Sequence, residues 1–169
     1  RAEAATMYER ARSLISLVSD QSTRERLELS AVANLANNLL SQGETENAEA
    51  LFARARALRE KVFGAQLPPQ IVLLQQEATL ASKQKEWPRA RKLLEQALTA
   101  ARAEWSEQHP YWPILLRDLG QACLNLGDLT AAEQHAQQAL AYDEKAYGPT
   151  GLQLRVDLRL LARVATASG

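Results

Sequence analysis

Few side chains in this 169-residue sequence are of a kind that could do covalent or acid–base chemistry: two histidines, His109 and His135, and one cysteine, Cys123. Catalysis would need a nucleophile, a base and an orienting group that converge. The sequence has no GxSxG elbow, no HExxH metal pair and no glycine-rich phosphate loop. His109 precedes Pro110 and reads as a cap or loop residue, and His135 reads as solvated helix surface. Cys123 falls on an apolar stripe, where packing is the expected role, because a reactive thiol needs an exposed electropositive setting. A lone cysteine also rules out an internal disulfide framework and a Cys-rich zinc site. We therefore expect no catalytic, cofactor-binding or metal-binding residues, and no enzyme. What remains is recognition chemistry. Arg117 and Arg159 stand 42 residues apart, and Arg159 and Arg163 stand four apart, a spacing that puts the latter two on one helical face. Guanidinium forks match carboxylates and phosphates. Asn34, Asn37, Gln75, Gln76, Thr79 and Gln121 offer amides and a hydroxyl that can bond the backbone of an extended peptide.

The interval of 42 residues belongs to the whole chain. A turn at Gly43 recurs at Lys85 and at Gly127; Ala48, Ala90 and Ala132 align, as do Ala55, Ala97 and Ala139, and the aromatic trio Phe63, Trp105 and Tyr147. A fixed period of this size without insertions is the signature of stacked helical units, each too small to bury a core alone. We read residues 1–22 as the second helix of a broken repeat, residues 23–66, 67–108 and 109–149 as three repeats, and residues 150–169 as the first helix of a further one or a cap. Each repeat has a leading helix, A, and a following helix, B. The expectation is an all-α, right-handed solenoid of antiparallel helix pairs, forming one domain over residues 1–169 with about seven helices.

Local signals agree with that division. Ser22 or Thr23 could cap the first A helix, and Glu44, Glu86 and Asp128 precede B helices, where a carboxylate meets free N–H groups and the positive end of the helix dipole. Gly64 and Gly148 follow B helices, where glycine suits a left-handed cap. All six prolines (Pro68, Pro69, Pro88, Pro110, Pro113 and Pro149) fall in connections or at helix starts. The final helix carries Leu158, Leu161, Ala162 and Ala165 as its apolar stripe. Trp87, Trp105 and Trp112 sit at helix ends and are expected to wedge between units. Two departures stand out. Glu77 occupies the place of Leu35, Leu119 and Leu161, so either the helix rotates to let it reach solvent or it forms a buried ion pair or functional contact. Lys85 replaces the turn glycine, which predicts a less regular middle turn.

Composition bounds the function. Twenty basic and twenty acidic residues cancel, so the electrostatic footprint of a general nucleic-acid binder is missing. The longest apolar run is too short to span a membrane, and the amino end is a charged helical pattern rather than a signal peptide. We expect a cytoplasmic setting and a fragment of a longer protein, since the chain begins and ends inside repeats.

The residues Asn34-Leu35-Ala36, Gly43, Ala48-Glu49-Ala50 and Arg59-Glu60-Lys61-Val62-Phe63-Gly64 resemble a tetratricopeptide repeat (TPR) of the longer kinesin-light-chain type. Downstream, Gly127-Asp128-Leu129 and Asp143-Glu144-Lys145-Ala146-Tyr147-Gly148 repeat the pattern, and His109-Pro110 matches the His-Pro often found between such units. The resemblance implies that A helices line a concave face. On that face three columns 42 residues apart would lie: Ala33, Gln75, Arg117 and Arg159; Asn37, Thr79, Gln121 and Arg163; Asn34, Gln76, Asp118 and Leu160. The carboxylate clamp of chaperone-type members is disfavoured, because Ala33, Gln76, Ile114 and Asp118 stand where lysine, asparagine, lysine and arginine would be wanted. The function implied is a protein-interaction scaffold that holds a peptide or a neighbouring domain, the arginines favouring an acidic or phosphorylated segment. The alternative is an oligomerisation or intramolecular regulatory segment, with a homodimer formed through open repeat ends.

Overall fold

A computed structural model describes residues 2–63, 71–106 and 109–169. Among these the regular structure is entirely helical: α1 (Ala2–Ser16), α2 (Gln21–Ser41), α3 (Thr45–Phe63), α4 (Ile71–Lys83), α5 (Trp87–Glu104), α6 (Trp112–Asn125), α7 (Leu129–Tyr147) and α8 (Leu154–Ser168). Eight helices are described, three pairs and a single helix at each end, one more than the expected count of about seven. The chain forms two compact units, Arg1–Pro68 and Pro69–Gly169. The expected cap at Gly64 and helix start at Pro69 lie outside the described residues, as does the side chain of Phe63.

In the first unit α2 and α3 form a hairpin around Leu29, Val32, Ala36, Leu40, Ala48, Phe52 and Ala55, all buried. Small residues at Ala36, Ala48 and Ala55 let the two backbones approach, and Phe52 fills the space between them. Lys61 and Glu25 close the outside of the pair at 2.9 Å, and Arg54 bonds Glu28. The start of α2 corrects an expectation. Asp20, rather than Ser22 or Thr23, is the N-cap, and its carboxylate accepts from the Thr23 N–H at 2.6 Å. The Thr23 hydroxyl, and after it this N–H bond, hold the Asp20 carboxyl below its ordinary pKa.

The second unit repeats the hairpin as α4–α5 and α6–α7, with α8 packed against α7 and α6. Its core runs through Ala78, Ala90, Leu94, Ala97, Leu115, Leu119, Cys123, Ala132, Ala136 and Ala139. The alanine at position 136 belongs with a glycine at position 120. A Cβ on Gly120 would lie 3.2 Å from the Ala132 carbonyl oxygen and 3.2 Å from Leu160 Cδ2, so α6 and α7 meet there almost backbone to backbone. Pro113 stands in the first turn of α6, where its missing N–H leaves no helical bond unmade.

The three A-to-B turns are alike, and this overturns the expectation of an irregular middle one. Gly43 and Gly127 have φ of 82° and 79°, and Lys85 takes the same left-handed conformation at 61°. In each, the next N–H reaches back to the carbonyl five residues earlier: Glu44 to Leu39 at 2.9 Å, Glu86 to Ala81 at 2.8 Å and Asp128 to Cys123 at 3.0 Å. Lys85 therefore carries the steric cost of a Cβ in the left-handed region, on the order of 1–2 kcal/mol. Lys85→Gly is expected to stabilise the second unit by about 0.5–1 kcal/mol, less than that cost because glycine also frees the unfolded chain. A lower urea midpoint in the glycine variant would contradict it.

The carboxylates after these turns do not act alike. Asp128 accepts from the Ala131 N–H at 3.2 Å, whereas Glu86 makes no side-chain cap and binds Arg89 at 2.8 Å. The extra methylene of glutamate carries its carboxylate past the free N–H groups. Of the two alternatives for Glu77, exposure or a buried contact, the side chain is buried.

The face of α8 also differs from expectation. Leu154, Asp157, Leu160 and Val164 are its buried residues, while Leu158 is 51 % exposed and Ala162 and Ala165 are exposed. One period earlier, the residues matching Leu158, Ala162 and Ala165 are Leu116, Gly120 and Cys123, buried against the B helix α7. Among the described residues α8 has no such B partner, so what it buries is the side turned to α6 and α7.

Candidate functional site

Within the second unit the A helices α4, α6 and α8 lie side by side, and polar side chains connect them about one repeat apart. Gln75 Nε2 donates to Asp118 Oδ2 at 2.6 Å and to Thr79 Oγ1 at 3.2 Å. The Thr79 hydroxyl donates back to the Gln75 carbonyl at 3.0 Å. Arg163 Nη1 donates to Gln121 Oε1. Residues 42 apart thus do neighbour one another, because each repeat places its A helix beside the preceding one.

Only part of the expected surface is open. Arg159 and Arg163 are exposed on α8, and Arg159 has no partner among the described residues. Gln75, Thr79 and Gln121 are half-buried and joined by the bonds above. Gln76 and Leu160 are buried, and Asp118 is largely withdrawn. Burial lifts the Asp118 carboxyl above its ordinary pKa, against the lowering effect of its Gln75 hydrogen bond and of Arg117. Their column, expected on the open face, is in the second unit the seam where successive A helices pack. In the first unit Asn34 and Asn37 are exposed on α2. Asn34 borders a groove of about 850 Å³ between α1 and α2, walled by Met7, Tyr8, Leu14 and Leu27.

Arg117 is the larger correction. It does not converge with Arg159 and Arg163 on a free surface. Its Nε donates to Asp157 Oδ1 at 2.7 Å and its Nη2 donates to Asp143 Oδ2 at 2.8 Å. The guanidinium, 22 % exposed, ties α6 to α7 and α8 through two aspartates whose side chains are 4 % and 0 % exposed. Sequence reasoning passed over both aspartates, although a signal was there. Leu73 and Leu115, two and one periods before Asp157, are buried, as is Ala101, one period before Asp143. Acids in apolar columns are the mark of buried pairing.

The groups first considered for covalent chemistry are structural. Cys123 is fully buried, and burial pushes its thiol pKa up, which disfavours the reactive thiolate. His109 stacks on Trp105 at 3.9 Å between ring centroids, and its Nδ1 accepts from the Tyr111 N–H at 3.3 Å. Trp112 is buried, donates to the Ser106 carbonyl at 2.9 Å and stacks on Tyr142, a wedge as expected. His135 is half-buried rather than solvated, and that burial pushes its imidazole pKa down.

A tetratricopeptide repeat family model matches residues 28–103. Over that stretch the chain is similar to tetratricopeptide repeats. Solved structures extend the likeness of fold to 99 % of its length. BtubC (BKLC) from P. vanneervenii superposes with a TM-score of 0.77 at 18 % identity, and the chain spans 65 % of that protein's length. The kinesin-light-chain-type TPR-like repeats of Podosopora anserina superpose at 0.74 with 19 % identity over 79 % of their length, and a single-residue variant of them at 0.76 over 78 %. No curated protein matches the chain by sequence. Repeats of this family generally mediate protein–protein interactions. Among the described residues no helix is long and apolar enough to cross a membrane.

Proposed function

We propose that this TPR chain is a protein-interaction scaffold, and that the open edge of its A-helix row in the second unit holds an acidic or phosphorylated segment of a partner. The observation that carries this reading is the pair on α8. Arg159 is exposed and unpaired among the described residues, and Arg163 stands one helical turn further on with its guanidinium held by Gln121 of α6. A guanidinium already oriented loses less freedom on binding. Two such forks offer charge-assisted bonds to carboxylate or phosphate oxygens. Gln121, on the adjacent α6, has an amide nitrogen able to meet a peptide backbone. In the arrays this chain resembles, that row lines the concave face. Asn34 and Asn37 offer a separate amide-bearing surface on the first unit.

The reading predicts that Arg159→Glu with Arg163→Glu loses at least about tenfold in affinity, ~1.4 kcal/mol, for acidic or phosphorylated peptides selected on an array. Helicity and melting temperature should stay close to wild type, because both side chains lie outside the core. Wild-type binding should also weaken as salt is raised. A double variant that binds as well as wild type would overturn the assignment.

A further inference from the structure

The cluster beneath Arg117 carries more than a structural tie. Asp157 is completely buried on α8, and its Oδ1 is bound by Arg117 Nε. Its Oδ2 is also buried, with no hydrogen-bond partner. Asp143 on α7 lies beside it and shares the same guanidinium through Nη2. One positive charge therefore faces two buried carboxyl groups. If both were ionised, a negative charge would be left over in the interior and Asp157 Oδ2 would lack a donor, each a costly condition. A single proton resolves both, for a protonated carboxyl donates as well as accepts.

We propose that Asp143 and Asp157 hold one proton between them under the Arg117 fork, and that the docking of α8 onto α6 and α7 is consequently linked to pH. The proton sits on Asp143 and is donated towards Asp157 Oδ2, while Arg117 Nε donates to Asp157 Oδ1. Asp143 is the natural site of exchange, because it retains 3 % exposure and borders a hollow of about 320 Å³ shared with His109 and Lys145, whereas Asp157 has none. The remaining charged groups nearby are directed elsewhere: Asp118 bonds Gln75, and Arg155 and Arg159, on either side of Asp157, are exposed. Burial and the adjacent Asp157 raise the Asp143 pKa, outweighing the opposing pull of Arg117. A carboxyl whose folded pKa is raised binds its proton more tightly when α8 is docked. Its stabilisation is complete below the ordinary carboxylate range and is lost as pH climbs through the raised value.

The consequence reaches the surface. Arg159 follows Asp157 by two residues and Arg163 by six, so releasing α8 at higher pH would displace both arginines and break the Arg163–Gln121 bond. That last step rests on the reading of the α8 arginines as a binding edge. The proton linkage itself does not.

Hydrogen-exchange protection factors of α8 amides, followed from about pH 5 to about pH 8, test the linkage without any ligand. In the wild type, protection should fall by up to about tenfold for each unit by which Asp143 exceeds its ordinary pKa. Asp143→Asn supplies a permanent donor without charge, so its protection should be flat over that range and at least as high as wild type at the upper end. Asp157→Asn places the donor on the other partner and should flatten the profile too, which keeps the test available if one variant folds poorly. Parallel profiles in wild type and both amide variants would overturn the shared proton, as would undocking of α8 by Asp143→Asn at every pH. Intact linkage with no peptide binding would instead count against the binding edge alone.

Discussion

Replacing Arg117 by methionine is expected to cost the second unit about 3–5 kcal/mol near neutral pH, the range seen when one member of a buried charge pair is removed. The size of the effect comes from what stays behind. Asp143 and Asp157 would remain in the interior with no cation, and α6, α7 and α8 would lose their common tie. Lysine in the same place should recover only part of the loss, because an ammonium cannot fork in fixed geometry to two carboxylates. The urea midpoint, together with exchange protection of α8, checks this. The cost should shrink at acidic pH, where the raised Asp143 carboxyl takes up its proton and less negative charge is left uncompensated. A loss below about 1 kcal/mol, the scale of an exposed ion pair, would mean that the cluster is effectively solvated.

Ala97→Leu is expected to cost about 1–3 kcal/mol by overpacking. Ala97 is fully buried on α5, in the core that joins α5 to α6 and α7, so three added carbons have no space without shifting a helix. Gln134→Leu makes a comparable apolar addition on the exposed side of α7 and should alter stability by roughly 0.5 kcal/mol or less. Equal shifts in melting temperature for the two variants would contradict the helical faces described here.

The buried alanines of the B helices are legible in the sequence. Ala48, Ala90 and Ala132 recur at one interval because each repeat makes the same close contact, and a contact made three times leaves three marks in the chain. Lys85 shows the limit of reading residue types one at a time. A lysine where glycine is preferred suggested a different turn, yet flanking helices packed like those of the other repeats hold the backbone in the same left-handed conformation. The arginines show a second limit. Arg117 and Arg159 occupy equivalent places one period apart, and the periodicity assigned them one role.

Periodicity determined the helical class, the A and B alternation, the positions of the turns and the small residues that let helices meet, since these depend on spacing along one chain. Which groups remain free to recognise anything was decided only in three dimensions. The acids that engage Arg117 lie on two other helices, 26 and 40 residues away. Gln76 is buried, and Arg159 is left open, according to how successive A helices pack. Spacing within a repeat predicts which way a side chain points. Whether an acid of another helix meets it there depends on distances that only the packed fold sets.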